Sequence, residues 1–204
     1  MTPGVRDEDD DLLLLAIRAG DEQAFVSLYR KRQGAIYRFA LHMTGEPALA
    51  EDVTQEVFLA LIRDEWSYDP ERGALASYLF GIARKLVLRS LERGRADVTL
   101  DSAEQSAWRQ MTVNPDPLSD LTRKEGIDAL RRAVLTLPRR YREVVVLCDL
   151  EEVDYADAAR ILGCPVGTVR SRMHRARALL MEKLVQERSP KPLLGTWKAA
   201  KCLT

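Results

Sequence analysis

Apolar residues recur at helical spacing along most of this chain, and no alternating pattern typical of a strand persists anywhere. The pattern predicts helices over residues 9–18, from a cap at Gly20-Asp21 to a stop at Gly45, over residues 47–64 with Pro47 in the first turn, and over residues 74–93. These four helices are expected to form one compact helical domain, residues 1–93.

The helical pattern fails between residues 94 and 117, where two prolines within four residues exclude a continuous helix. We interpret this segment as a flexible interdomain linker. Helices are predicted again over residues 118–137, from Pro138 through Val146, from a cap at Asp154 to Leu162, and over residues 166–187. Val144 to Val146 have strand propensity, but Tyr141, Val144, Val145 and Cys148 share helical spacing, so we predict helix. Residues 118–188 then form a second helical domain, residues 189–204 a tail, and the fold class is all-α.

Composition places the chain among cytoplasmic proteins. No apolar run approaches the roughly 20 residues needed to span a bilayer, so no membrane insertion is expected. The acidic run at residues 7–11 is unlike a secretory signal. The three cysteines include no C-x-x-C pair, which indicates neither a disulfide framework nor a zinc site.

Residues able to support catalysis are scarce. There are two histidines, His42 and His174, and neither a glycine-rich phosphate loop nor a nucleophile motif. Asp52 and Glu56, one helical turn apart, could begin a metal site, but no third ligand is evident. We therefore expect no enzymatic activity, no cofactor and no metal.

Charge is balanced overall but not locally. Lysines and arginines number 31 and equal the acidic residues, yet residues 168–178 hold four arginines and no acid. A locally basic helix in a neutral chain indicates a protein that contacts DNA at selected points and depends on a partner for the rest.

The basic segment follows a helix-turn-helix pattern. Ala159 allows close helix approach, Gly163 suits the turn, and Val169 anchors the second helix. A helical wheel with about 100 degrees per residue places Val169 on the core side together with Met173, Ala176 and Leu180. The opposite side carries Gly167, Ser171, His174, Arg175 and Ala178. Arg170 flanks this outer face, whereas Arg172 and Arg177 lie near the core edge, where phosphate contacts or packing are expected.

A second unusual pattern lies on the predicted helix at residues 47–64. Leu49, Val53, Val57 and Leu61 form a core stripe, but Leu59 and Ile62 lie on the opposite side. A helix that is apolar on two sides is buried on both, either inside its own domain or against another protein.

Two segments of the sequence resemble bacterial RNA polymerase sigma factors of the extracytoplasmic-function (ECF) type, in the sigma-70 family. YADAARILGCPVGTVRSRMHRARALLMEKL resembles their C-terminal promoter-reading domain, most specifically at PVGTVRSR and HRAR. EDVTQEVFLALIR followed by ASYLFGIARKLVLRSLERGR resembles their N-terminal domain, in the right order and at the right distance. The resemblance covers about residues 10–188 and implies a factor that directs promoter recognition and transcription initiation.

The resemblance also implies roles for individual residues. The upstream promoter element would be contacted by Thr168, Arg170, Ser171, Arg172, His174, Arg175 and Arg177. The downstream element would be contacted by Trp66, Tyr68, Arg72, Arg84, Lys85 and Leu88. Core RNA polymerase would bind Asp52, Gln55, Glu56, Leu59 and Ile62. Tyr78 and Lys85 depart from the family, which usually has Trp and often Asn there, so the downstream base preference stays open.

Besides core polymerase and promoter DNA, the family implies an anti-sigma factor as a partner. The alternative function belongs to another class of protein: a stand-alone regulator that binds duplex operators as a dimer through the same helix-turn-helix.

Overall fold

The computed structural model describes residues 8–63, 68–97 and 117–188, and within these ranges the chain is helical with short turns. The N-terminal part contains α1 (Glu8–Arg18), α2 (Glu22–Thr44), α3 (Pro47–Ile62), one 3₁₀ turn (Pro70–Arg72) and α4 (Leu75–Asp97). The C-terminal part contains α5 (Pro117–Leu135), α6 (Arg139–Val145), a π turn (Val146–Leu150), α7 (Tyr155–Leu162) and α8 (Val166–Arg188). The predicted all-α fold class is confirmed.

Local sequence signals account for most helix ends. The Asp21 carboxylate accepts hydrogen bonds from the backbone N–H groups of Gln23 and Ala24, and the Asp154 carboxylate accepts one from Asp157. Gly45 and Gly163 end α2 and α7 with φ of 82° and 64°, a left-handed conformation that glycine adopts without a Cβ penalty. Pro47 lies in the first turn of α3, where its missing N–H costs nothing.

Some boundaries differ from the prediction. α4 continues to Asp97, so the first four residues of the predicted linker are helical. α3 ends at Ile62 and α5 at Leu135, each two residues before its predicted end. Val144 and Val145 are helical as predicted, but the chain then widens into the π turn, which was not predicted. Residues 98–116 of the linker and the tail 189–204 lie outside the described residues.

The N-terminal helices pack around α2, which contacts α1, α3 and α4. Phe39 and Phe58 are fully buried, and the rings of Tyr29 and Phe58 meet edge to face with centroids 4.8 Å apart. Such aromatic packing fixes α3 against α2 and leaves the other side of α3 facing outward.

The C-terminal helices pack α8 against α5, α6 and α7. The apolar side of α8 predicted from the helical wheel is buried, with Val169, Met173, Ala176 and Leu180 in the core. These residues belong to the same continuous apolar cluster as Phe39 and Leu79 of the N-terminal helices. The two groups of helices therefore contact each other directly.

Among the residues that the structure describes, no helix is both long and apolar enough to cross a membrane.

Candidate nucleic-acid interface

α7 and α8 form the helix-turn-helix through a tight turn at Gly163. The backbone N–H of Cys164 donates to the Ala159 carbonyl at 3.0 Å, which closes the end of α7. Ala159 and Val169 are both buried, so the small residue and the apolar anchor occupy the positions that this motif requires. The second helix is thereby held with one face outward.

The outward face of α8 carries exposed polar and basic side chains. Arg170, Ser171, His174 and Arg175 are all exposed, as the helical wheel predicted. Thr168 is half-buried, and its carbonyl accepts a hydrogen bond from the Ser171 hydroxyl at 3.1 Å. The structure thus brings four of the seven proposed upstream-element residues onto one accessible helix face.

Arg172 and Arg177 are held by other parts of the same domain. Arg177 donates two hydrogen bonds to the Asp149 carboxylate, at 3.1 and 2.6 Å, and this pairing raises the pKa of the guanidinium. Arg172 is half-buried beside the Cys164 sulfur, with 4.0 Å between Nη1 and Sγ. Arg172 is half-buried, near the core edge where the wheel placed it, whereas Arg177 is exposed and is held by its ion pair with Asp149.

The proposed downstream-element residues on α4 are arranged differently. The Arg84 Nε donates to Glu143 at 2.9 Å, and the Ser77 hydroxyl donates to Asp157 at 2.7 Å, so carboxylates from α6 and α7 lie on this face. Lys85 is exposed and Leu88 half-buried. Glu143 and Asp157 were not singled out from the sequence, because nothing local to them indicates a contact with a helix more than fifty residues away.

The loop before α4 contains one residue that the structure places inside the fold. Tyr68 is 7% exposed, and its hydroxyl lies 2.7 Å from Asp11 Oδ1 and 3.1 Å from the Gly73 carbonyl oxygen. In this conformation Tyr68 supports the loop and does not present its ring to DNA, contrary to its proposed role. Arg72 is exposed, whereas Trp66 lies outside the described residues.

The outer side of α3 combines acidic and apolar groups. Asp52, Gln55 and Glu56 are exposed, and beside them Leu59 and Ile62 are 39% and 52% exposed. The opposite side, with Val53, Val57 and Leu61, is buried. The sequence left two explanations for a helix that is apolar on both sides: burial inside its own domain, or burial against another protein. Within the described part of the chain, Leu59 and Ile62 are exposed, so the first explanation is wrong for them.

In the ranges that the structure describes, no three His, Cys, Asp or Glu side chains lie together as metal ligands would. Burial raises the pKa of the Cys148 thiol to about 12, which leaves it protonated and a weak nucleophile. Burial lowers the pKa of His42, whose Nδ1 lies 2.7 Å from the Arg38 carbonyl oxygen.

Comparison with known proteins gives two family matches, to sigma-70 region 2 over residues 28–96 and to sigma-70 region 4 over residues 127–180. The chain is 33% identical to ECF RNA polymerase sigma factor SigM of Mycobacterium tuberculosis over 183 residues, covering 89% of this chain and 88% of that protein. It is 33% identical to ECF RNA polymerase sigma factor SigE of Mycolicibacterium smegmatis over 174 residues, and the match spans 83% of this chain but 66% of that relative.

Among solved structures, CnrH in complex with the cytosolic domain of CnrY is similar in fold, with a TM-score of 0.65 and 24% sequence identity. The similarity covers 89% of this chain and 99% of that one. The resemblance drawn from the two sequence segments is confirmed by these matches.

Proposed function

Because the chain belongs to the ECF sigma factors of RNA polymerase, we propose that it binds core RNA polymerase and directs it to promoters that it selects itself. The observation that carries this proposal is the combination, in one chain, of an acidic and apolar face on α3 with an exposed recognition face on α8. A protein that binds only duplex DNA would not need the acidic and apolar face of α3.

The α3 face is the proposed polymerase contact. Exposed Leu59 and Ile62 would supply the apolar area, and Asp52, Gln55 and Glu56 would pair with basic groups at the rim of the interface. Complementary charge of this kind increases association rates and selects the partner.

The α8 face is the proposed contact with the upstream promoter element. Arg170, Ser171, His174 and Arg175 project from a helix of the size that the major groove accepts, and arginine can donate two hydrogen bonds to guanine. Arg172 and Arg177 would instead hold the helix or contact phosphates. α4 and the preceding loop would contact the downstream element, where arginine and lysine side chains follow the strand backbone.

We further propose that the chain acts by binding alone, without catalysis of its own, and that it works in the cytoplasm beside the polymerase. An anti-sigma factor is the proposed regulatory partner, because the family is usually controlled in this way. A relative of the same fold, CnrH, is bound by the cytosolic domain of CnrY.

The test of the proposal is transcription in vitro with purified core polymerase over a library of promoter sequences. The chain should support initiation at a defined subset of the library. Replacing Asp52 and Gln55 together with Ala should weaken core binding and leave the circular dichroism unchanged, because each removed group leaves a polymerase group unpaired. Glu92→Ala, which removes the same single charge from an exposed position on α4, should have no effect.

The purified chain and core polymerase also test the alternative function, that of a stand-alone dimeric regulator. In gel filtration, a sigma factor is expected to co-elute with core polymerase. A stable dimer that ignores polymerase and binds duplex operators would support the stand-alone regulator and contradict the proposal.

A further inference from the structure

The π turn that follows α6 brings a charged side chain to the surface beside α8. The backbone N–H of Glu151 donates to the Val146 carbonyl at 3.0 Å, which closes the widened turn. Val146 and Leu147 are buried and anchor the turn in the core, whereas Asp149 is exposed. π turns are rare and often lie at functional sites, and the carboxylate that this one presents belongs to Asp149.

The side chain that Asp149 holds is Arg177 of α8. The Arg177 Nε donates to one carboxylate oxygen at 3.1 Å, and its Nη2 donates to the other at 2.6 Å. A pair of hydrogen bonds in this fork geometry fixes the plane of the guanidinium as well as its position. Asp149 occupies only one edge of the fork, so the N–H groups on Nη1 remain for another acceptor. Arg177 is therefore exposed, oriented and still able to donate.

The oriented guanidinium lies next to the side chains proposed to contact the upstream element. Arg170, His174 and Arg177 line one groove along α8, beside Tyr155 at the start of α7. A helix in the major groove is bordered by the phosphates of both strands, and arginine binds a phosphate through the same fork with which it binds a carboxylate. The free edge of Arg177 is thus suited to a phosphate oxygen, and it can bind one without leaving Asp149.

From this geometry we propose that Asp149 is a positioning residue for DNA binding, which holds the Arg177 guanidinium in the orientation in which its free edge binds a phosphate of the upstream promoter element. The inference rests on the proposed function and extends it to a residue that does not itself contact DNA. Phosphate contacts fix the register of a protein on the duplex and carry no sequence information. Through Arg177, Asp149 thereby sets the register of the recognition face of α8.

Charge alone predicts the opposite effect of this carboxylate. Asp149 is negative and lies close to the proposed DNA surface, so removing its charge reduces the repulsion of phosphates and should tighten DNA binding. Positioning predicts that the same change weakens binding, because the guanidinium loses the preorganised orientation and must be ordered when DNA binds. The sign of the effect of Asp149→Asn therefore distinguishes the two explanations.

The test measures binding of a fluorescein-labelled duplex, selected from the promoter library, by the full chain in complex with core polymerase. Fluorescence anisotropy at several KCl concentrations gives the affinity and the slope of its logarithm against the logarithm of salt concentration. The variants are Asp149→Asn, Asp149→Glu, Arg177→Lys, and Asp149→Asn combined with Arg177→Lys. Glu182→Gln is the matched control, because it removes one carboxylate from an exposed position on α8.

We expect Asp149→Asn to weaken binding about tenfold, as the loss of one charge-assisted hydrogen bond requires. The salt slope should become smaller by about 0.9, the contribution of one phosphate contact. Asp149→Glu keeps the carboxylate and should retain most of the affinity, and Glu182→Gln should bind at least as tightly as the native chain. In the Arg177→Lys chain, whose ammonium group offers no fork, Asp149→Asn should no longer weaken binding.

Three results would overturn the proposed positioning. The first is unchanged or tighter binding by Asp149→Asn. The second is an equal loss of affinity in the Arg177→Lys chain, because the effect of Asp149 would then not pass through Arg177. The third is a loss of affinity at an unchanged salt slope, because no phosphate contact would then have been lost.

Transcription with core polymerase separates this inference from the proposed function. If the native chain supports promoter-specific initiation while any of the three results above is found, only the positioning by Asp149 is wrong. If the native chain supports no initiation, the proposed function itself fails, and the inference fails with it.

Discussion

Four arginines lie within eight residues of α8, and the contacts of their side chains divide them into two pairs. Arg170 and Arg175 are exposed on the outward face, whereas Arg172 lies beside Cys164 and Arg177 pairs with Asp149. An arginine already engaged by a carboxylate loses that pairing if it turns to a base. Arg177 is exposed as well, but it is paired with Asp149, so Arg170 and Arg175 are the better candidates for base recognition.

For Arg175→Ala we expect a loss of preference at one or two base pairs of the upstream element, because an arginine bound to guanine contributes about 1–3 kcal/mol of discrimination. Arg177→Ala should instead weaken binding to all sequences alike. Binding of the polymerase complex to an upstream-element mutant library distinguishes the two effects. Uniform loss of affinity for Arg175→Ala, with the native base preferences kept, would show that our orientation of α8 is wrong.

Tyr68 offers a second prediction for a single residue. Tyr68→Phe keeps the ring against Tyr78 but removes the hydroxyl that contacts Asp11 and the Gly73 carbonyl. We expect the free energy of unfolding to fall by about 1–3 kcal/mol, since a part-buried hydrogen bond to a carboxyl group is lost. Thermal unfolding followed by circular dichroism measures this change.

The partner variant Asp11→Ala, which removes the carboxylate that accepts from the Tyr68 hydroxyl, provides the control for Tyr68. Its effect and that of Tyr68→Phe should be less than additive in the double variant, because both remove the same contact. Full additivity would mean that the hydroxyl and the carboxylate do not interact in solution.

The single-residue predictions from the sequence succeeded where the helical wheel alone decides the answer. The helical wheel placed Arg175 on the exposed side of α8 and Met173 on the buried side, because each position follows from the helical repeat. It could not predict that Tyr68 is buried, since the hydroxyl contacts Asp11, which is 57 residues away in the sequence. Contacts at such separations depend on the packed structure and leave no local pattern.

At the scale of the helix, one glycine inside α2 and another at its C-terminal cap are in opposite situations. Gly45 ends the helix with φ of 82°, and a Cβ there would lie 3.2 Å from Leu135 Cδ1 of α5. Gly34 lies inside α2, and its added Cβ would meet nothing closer than the Arg38 Nη1 at 3.5 Å, an ordinary contact.

We expect opposite effects of alanine at these two positions. Gly45→Ala should reduce the free energy of unfolding by about 1–2 kcal/mol, because a side chain in the left-handed region is strained. Gly34→Ala should increase it by about 1 kcal/mol, the difference in helix propensity between the two residues. Urea denaturation of both variants measures the changes, and stabilisation by Gly45→Ala would contradict the cap described for α2.

Helix ends were predicted most directly where a capping residue marks them. Asp21, Gly45, Asp154 and Gly163 mark ends that the structure confirms. α4 passes Gly94, where an end was predicted, and continues to Asp97, because a glycine inside a helix costs only about 1 kcal/mol. The π turn after Val145 has no sequence signal of its own, and its buried Val146 and Leu147 serve the core.

For the whole molecule, the sequence pattern predicted two groups of helices but not their contact. Periodicity tells which side of a helix is apolar, and it does not tell which other element covers that side. Leu135 of α5 lies against the end of α2, and the apolar cluster runs without a break through both groups. We therefore expect the two domains of the free chain to be coupled in unfolding.

Arg142 on α6 is the residue through which this coupling is best tested. Its guanidinium donates to the Met43 carbonyl of α2 at 2.6 Å, to the Leu135 carbonyl of α5 and to the Leu137 carbonyl at 3.2 Å. Carbonyl groups near the C-terminal end of a helix lack partners within the helix. One half-buried cation therefore stabilises the ends of two helices, one from each group, and partial burial lowers the pKa of this guanidinium.

Arg142→Met keeps much of the side-chain volume but removes all of these hydrogen bonds. We expect the free energy of unfolding to fall by about 2–3 kcal/mol, since three carbonyl groups lose a charged donor. Hydrogen exchange followed by mass spectrometry should show faster exchange at the ends of both α2 and α5, and Arg139→Met, an exposed change in the first turn of α6, should show neither effect. If exchange accelerates only in α5, Arg142 stabilises its own domain alone, and the coupling between domains does not pass through it.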